Sequence, residues 1–453
     1  MSQPAFPAEP EDTLAALAAP DPEDQPWPSA TRGWLLVGLL ALASIVSQFD
    51  RTVINLMIKP IEAQFGLSDT QFGMLQGLAF GLFYIVACVP IGRLADRVQR
   101  RLIIAVALAL WSAFAVGSGL ARSFWQLFAT RIGVAVGEAS LSPAAFSMLA
   151  DHFPPDELGK PTGGYLMSAP VGQGLAFIGG GSLLTWLSGS AVLHQPALAW
   201  LQPWQAAFIL VAIPGLLLVP LFLLVREPLR RGTRGVDQLP LREVLAVVRT
   251  RGGALVPLFI GSAMVNLTSY AFAIWTPALL QRTYGWSPQQ VGLHYGPLMI
   301  VFGMSGVFAS GWVLDRLTSR GRVDAPLTVA AVGFAIGGAC GTAAPLMTDP
   351  TLTMVLLAAT IFFANTPFVC AATAMQLITP NRARAQVSAL YVTITSLVGL
   401  ALGPLVIGLL TDHVFSKAEI GHSLATVVGV ATPVMIVSML LAIGPYKRLR
   451  TAG

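Results

Sequence analysis

Two stretches of the chain carry the same residues in the same register. The first, Phe65-Gly66-Leu67-Ser68-Asp69-Thr70-Gln71-Phe72-Gly73, is followed by Gly92-Arg93-Leu94-Ala95-Asp96-Arg97. The second, Tyr284-Gly285-Trp286-Ser287-Pro288-Gln289-Gln290-Val291-Gly292, is followed by Gly311-Trp312-Val313-Leu314-Asp315-Arg316. Gly66 and Gly285, Gly73 and Gly292, and Asp96 and Asp315 are each 219 residues apart. Several identities at one offset mark a duplicated unit. That unit fills almost half of the 453 residues and consists of membrane-length apolar segments. Two parallel copies of a helical membrane bundle satisfy both facts.

Composition supports the count of segments. Hydrophobic residues make up 55% of the chain and charged residues 11%, against roughly 25% charged in a soluble domain. A spanning helix needs about 20 apolar residues. Spans are expected near 34–58, 71–92, 102–121, 124–150, 162–187, 205–225, 254–281, 288–314, 326–346, 351–377, 386–410 and 423–445. The expected fold is an all-α membrane protein: twelve transmembrane helices in two pseudo-symmetric six-helix bundles. The expected division is a tail at 1–32, a bundle at 33–225, a linker at 226–252, a bundle at 253–446 and a tail at 447–453. Residues 1–32 hold seven prolines and six acidic residues, the composition of a disordered tail. They lack the basic start and early apolar run of a secretory signal. Within the linker, 239–248 has the pattern of a short amphipathic helix.

The basic residues set the expected orientation. With the N-terminus inside, the inside segments hold 21 Lys and Arg and the outside segments hold four, Lys59, Arg122, Arg282 and Lys417. Both termini are therefore expected in the cytoplasm. The net charge of +5 lines a membrane face, so no nucleic-acid partner is expected. Short outer loops suit a bacterial inner membrane. The one glycosylation sequon, Asn266-Leu267-Thr268, lies within a span.

Gly92-Arg93-Leu94-Ala95-Asp96-Arg97-Val98-Gln99-Arg100-Arg101 resembles the loop signature of the major facilitator superfamily. Gly311, Asp315 and Arg316, with Arg320 and Arg322, form a weaker copy. The resemblance implies alternating access between two rocking halves. Gly92, Asp96, Arg97, Arg101, Gly311, Asp315 and Arg316 are then gating residues. The glycines would let helices approach closely, and the carboxylate would sit at a helix N-terminus in one state only. Arg131-Ile-Gly-Val-Ala-Val-Gly-Glu138, Asp50-Arg51 and the glycine-rich run from Ser168 to Gly181 resemble the spinster branch. That implies an amphiphilic lipid-like substrate, of lysophospholipid or sphingolipid type, and coupling to protons.

Asp50, Arg51, Arg131 and Glu138 are ionisable residues inside apolar spans. The repeat provides no second copy of them. At the 219 offset Asp50 falls on Ser269 and Arg51 on Tyr270. At an offset of 225, which superposes Pro155 on Pro380, Arg131 falls on Leu356 and Glu138 on Phe363. Charge in the bilayer interior is costly unless paired or wetted. A symmetric scaffold does not require these four, which points to function. Asp50 and Arg131 lie at comparable depth, and Glu138 follows Arg131 by about 10.5 Å on the same helix face. Burial favours a protonated carboxylic acid and a nearby arginine favours its ionised form. Asp50 and Glu138 are thus candidate proton sites, with Arg131 and Arg51 as countercharges. A static ion network is the competing reading.

Candidate substrate contacts are Arg51, Arg131, Phe49, Tyr84 and Tyr165 in the first half, with Asn266, Tyr270, Asn365 and Tyr391 in the second. Phe80, Trp275 and Phe362 accompany them. This leaves one half of a central cavity charged and the other apolar, a division that suits an amphiphile. No phosphate-binding G-x-x-x-x-G-K-[S/T] motif is present, so an ATP-driven engine is excluded. Cys88, Cys340 and Cys370 lack metal-ligand spacing. Neither catalysis nor a cofactor or metal is expected. The expected partners are the substrate, protons and membrane lipids, with the chain a monomer. Two alternatives remain at this stage: a carrier of another amphipathic organic anion or drug, and a non-transporting sensor or channel.

Overall fold

A computed structural model of the chain describes residues 26–95, 97–196, 198, 200–230 and 240–451. Among these described residues, twelve long helices carry the fold. The first six are α1 (Ala30–Leu56), α2 (Asp69–Ala95), α3 (Arg100–Gly119), α4 (Phe124–His152), α5 (Gly159–Ser188) and α6 (Pro203–Leu224). The second six are α7 (Gly252–Thr283), α8 (Pro288–Ser319), α9 (Ala325–Leu346), α10 (Pro350–Ile378), α11 (Asn381–His413) and α12 (Lys417–Thr451). Among the described residues, eleven are long and apolar enough to cross a membrane. The remaining one, α5, is a 30-residue helix whose glycines and Gln173 dilute its apolar character. Its glycines press into α1 and α8 instead. Helices suit a hydrocarbon solvent because each satisfies its own backbone hydrogen bonds.

The structure accounts for most of the repeated residues. Gly66 and Gly285 adopt φ of 64° and 67°, a left-handed turn that side chains disfavour. Ser68 and Ser287 then cap α2 and α8, accepting from the backbone N–H of Gln71 and Gln290 at 3.2 Å each. Each glutamine accepts in return from the serine N–H, completing a capping box. Gly73 and Gly292 lie where α2 and α8 cross the other half. A Cβ there would stand 2.7 Å from the carbonyl oxygen of Pro404 and 2.1 Å from that of Phe177.

These crossings are part of two backbone seams between the halves. On one, α2 meets α11: a Cβ on Gly77 would lie 2.3 Å from the Ala401 carbonyl oxygen. Both helices widen into π-helical stretches there, Leu75–Leu82 and Leu397–Leu402. On the other seam α5 meets α8: a Cβ on Gly181 would lie 2.3 Å from the Pro288 carbonyl oxygen.

Each half has its own apolar core. Leu40, Trp111, Met148 and Phe222 belong to the first, and Leu258, Phe334, Met375 and Met439 to the second. A third cluster joins both halves through Val53, Phe72, Trp275 and Val291, toward the end remote from the chain termini. The linker forms a helix at Leu241–Thr250. Its Val244 is buried in the second core, so its apolar face is docked on protein. Leu239, at the start of the expected helix, lies outside the described residues.

Candidate functional site

Asp50 and Arg51 project from adjacent positions of α1 and meet Arg131 and Glu138 of α4 crosswise. Arg131 Nη1 donates to Asp50 Oδ2 at 3.2 Å. Arg51 donates to Glu138 Oε2 from Nη2 at 2.7 Å and from Nε at 3.3 Å. Ser47 Oγ donates to the same oxygen at 2.7 Å. The α4 helix is interrupted after Glu138, between Phe124–Glu138 and Leu141–His152. A carboxylate at a helical C-terminus is disfavoured by the dipole, and Arg51 offsets that cost. The Phe80 ring, on the widened stretch of α2, lies 4.6 Å from the Arg51 guanidinium and 5.2 Å from that of Arg131. Tyr84 faces Arg51 at 4.8 Å.

The cluster is under-satisfied. Asp50 Oδ1, Glu138 Oε1, and Nε and Nη2 of Arg131 are buried without a hydrogen-bond partner among the described residues. A buried polar group left unpaired costs about 1–3 kcal/mol. Each carboxylate thus has one oxygen paired with an arginine and one without a hydrogen-bond partner among the described residues. Only Arg51 has appreciable access, 20% of its side chain, whereas its three partners are buried.

Arg51 reaches a small cavity of about 60 Å³ bounded by Asn55, Gln76, Phe80, Gln173 and Tyr270. A larger cavity of about 250 Å³ adjoins it, sharing Gln173, Tyr270 and Ala273. The larger one extends into the second half, past Asn266 and Asn365 to Met299, Phe334 and Phe368. Charge therefore lies at one end and a mainly apolar wall at the other. Arg51, Asn266, Tyr270 and Asn365 line these spaces. The other expected contacts are packed elsewhere in this conformation. Arg131 is fully buried behind Phe80, and Tyr84 stacks on Phe80. Phe49 lies against Gly179. Tyr165 packs on Phe146 and Tyr391 on Phe259. Trp275 is buried, donating to the Pro404 carbonyl. The amides of Asn55, Gln76 and Gln173 were not singled out from sequence, although amides inside apolar spans were the available signal. Gln76 donates to Asn55 at 2.5 Å, and Asn55 donates across the halves to the Ala273 carbonyl at 3.2 Å.

The polar contacts between halves concentrate at the end remote from the termini. Arg282 of α7 binds Asp69 at 2.6 Å and Glu62 at 3.0 Å. Lys417 approaches Glu62 at 3.3 Å and donates to the Leu67 carbonyl at 2.9 Å. Asp412 accepts from the backbone N–H groups of Asp69 and Thr70, at 3.1 and 2.7 Å. Sequence reading placed Arg282, Lys59 and Lys417 at this end but did not pair them. Burial, then a hydrogen bond with Asp69, raises Glu62 to a pKa of about 7.

The opposite end is organised within the first half. Arg100, absent from the expected gating set, is buried and holds Glu227 at 2.8 Å as well as Asp151. Arg101 donates to the carbonyls of Leu223 and Val225. Arg97, Asp315 and Arg316 are exposed, and Arg316 lies over Trp312. A Cβ on Gly92 or Gly311 would meet open space. The close approach expected at these glycines is not formed here, because the halves meet at the other end. Asp96 lies outside the described residues.

The family model of the Major Facilitator Superfamily matches residues 40–404. The chain belongs to the major facilitator superfamily. This superfamily member is a transporter, not an enzyme. It is similar to an MFS-type efflux pump of Mycolicibacterium smegmatis, 27% identical over 92% of this chain and 94% of the relative. It is also similar to spinster homolog 1 of Homo sapiens, 29% identical over 85% of this chain and 74% of that one. Among solved structures it resembles a bacterial homologue of the human lysosomal transporter spinster in an inward-facing, unoccupied conformation. The TM-score is 0.73 at 26% identity, covering 94% of this chain and 98% of the other.

Proposed function

We propose that this transporter moves an amphiphilic, anionic, lipid-like substrate of the lysophospholipid or sphingolipid kind by alternating access, driven by protons. The observation that carries the proposal is the position of Arg51. Its guanidinium lines the small cavity, which joins the larger, mainly apolar one through Gln173, Tyr270 and Ala273. A substrate headgroup on Arg51 would compete with Glu138 for the same donors. A carboxylate losing that partner inside a bundle favours protonation. Asp50 with Arg131 forms the second such pair. Headgroup binding and proton loading are then alternative uses of one set of arginines. With the termini in the cytoplasm, the closed remote end makes this the inward-facing state. The chain would act as a monomer in a bacterial inner membrane.

The test is flux through purified protein in liposomes under an imposed pH gradient, with lysophospholipid, sphingolipid-like and drug-like amphiphiles compared. Saturable, gradient-dependent movement of the lipids is expected. Flux of none under any gradient would overturn transport of this class. A second reading, export of another amphipathic organic anion or drug, is supported by the efflux-pump relative, which matches over nearly the full length of both chains. Drug flux without lipid flux would select it.

A further inference from the structure

The second half has a groove separate from the two cavities near Arg51. It lies between α8 and α9, has a volume of about 370 Å³, and is lined by Ala309, Val313, Leu317, Val329, Val332 and Phe363. Both helices pack on α10 rather than closely on each other. Ser310 donates to Thr366 at 2.9 Å. A Cβ on Gly306 would strike the Phe362 carbonyl oxygen at 2.3 Å, and one on Gly333 the Thr366 side chain at 2.7 Å. Their outer faces are open: Val332 is 54% exposed, and Phe308 and Trp312 are each 64% exposed. In a membrane that surface meets lipid, so hydrocarbon is the solvent that fills an apolar recess there.

The mouth of the groove is basic. Arg322, on the short loop joining α8 to α9, lines it with 51% of its side chain exposed. Asp324 stands 3.8 Å from it but lies closer, at 3.3 Å, to Lys447. Arg316 and Arg320 are exposed nearby. The first copy of the repeat differs at this point. There Arg100 is buried and tied to Asp151 and Glu227, whereas the residue 219 positions on is Ser319. Among the described residues Ser319 holds no such buried network, and Arg316, Arg320 and Arg322 of the second copy are exposed.

We infer that the α8–α9 groove binds one anionic membrane phospholipid, with an acyl chain along Val313, Val329 and Phe363 and the phosphate on Arg322. An arginine suits a phosphate because its fork donates two parallel hydrogen bonds. The full-length protein, purified in detergent, should be titrated with phosphatidylglycerol or phosphatidylcholine of the same chains. Melting temperature and lipid-bound mass by native mass spectrometry are the readouts. Phosphatidylglycerol should stabilise more and persist as a single retained adduct. Arg322→Gln should weaken that binding roughly fivefold and erase the headgroup preference. Val332→Trp, which fills the recess, should remove the adduct for both lipids. Arg382→Gln, an equal loss of charge elsewhere on the same end, should leave the preference intact. Equal stabilisation by both lipids, or a preference surviving Arg322→Gln, would overturn the assignment. Loss of the preference in Arg382→Gln as well would do the same, since that reports general surface charge.

Discussion

Replacing Arg282 with glutamine should unlatch the end of the bundle remote from the termini. Arg282 is buried, its side chain 8% exposed, and binds both Glu62 and Asp69, which belong to the other half. Its loss leaves two buried carboxylates facing Lys417, which is 47% exposed and stands 3.3 and 3.7 Å away. Removing one partner of a buried pair costs about 3–5 kcal/mol. The remaining lysine places this site at the lower end, so the closed-to-open ratio should fall roughly a hundredfold. Spin labels on Ala63→Cys and Ser416→Cys, in a background without Cys88, Cys340 and Cys370, would report the gap by electron–electron resonance. A longer distance should become the major population. The same labels test pH dependence. In the closed end Glu62 titrates near 7, raised from 4.5 chiefly by burial. Solvation in the open state would return it toward the ordinary value. The proton therefore favours closure: that contribution is complete below about pH 4.5 and is lost as the pH rises through about 7. The closed population should fall between these limits in the parent protein and stay level in Glu62→Gln. An unchanged distance in Arg282→Gln, or a closed population that grows with pH, would refute the reasoning.

Asp50→Asn and Glu138→Gln should each abolish pH-gradient-driven flux while melting temperature stays near that of the parent, and unchanged pH dependence in both would remove protons from the cycle. Arg51→Gln should raise the half-saturating substrate concentration at least tenfold, as expected for loss of a charge-assisted headgroup contact; an unaltered value in the liposome assay would separate Arg51 from binding. Arg100→Gln should destabilise by about 3–5 kcal/mol, seen as a lower melting temperature, because Asp151 and Glu227 lose a shared partner. Gly77→Ala should strain the α2–α11 seam, where the added carbon meets a carbonyl oxygen at 2.3 Å, and shorten the lifetime of the closed remote end in the spin-label assay.

The fold was legible in the sequence because membrane spans are long, apolar and counted by length, and because the repeat marks equivalent turns. Gly66, Ser68 and Gln71 recur as Gly285, Ser287 and Gln290 since both copies need the same left-handed turn and reciprocal cap. The positions of the four membrane charges were legible for the opposite reason, that symmetry does not demand them. Their crosswise pairing depends on the rotation of α1 against α4, which linear depth does not specify. The cavity-facing amides were overlooked because Asn55, Gln76 and Gln173 resemble incidental polarity in a span until the helices around the cavity are placed. The latch was overlooked because Glu62 and Arg282 lie in different halves, 220 residues apart.

The glycine seams carry a consequence for how this transporter tolerates sequence change. Where side chains interdigitate, a new residue can be absorbed by a neighbour adopting another rotamer. At Gly77, Gly181 and Gly292 the opposing atoms are main-chain carbonyl oxygens, and a carbonyl has no rotamer to change. A substitution there can be accommodated only by displacing an entire helix. Saturation mutagenesis should therefore find these positions nearly immutable, with second-site suppressors scarce nearby. The exposed flanks of α3, α6, α9 and α12 should accept most apolar replacements. Variation among transporters built this way would gather on the lipid-facing wall and in the cavity, and the track on which the halves move would stay fixed.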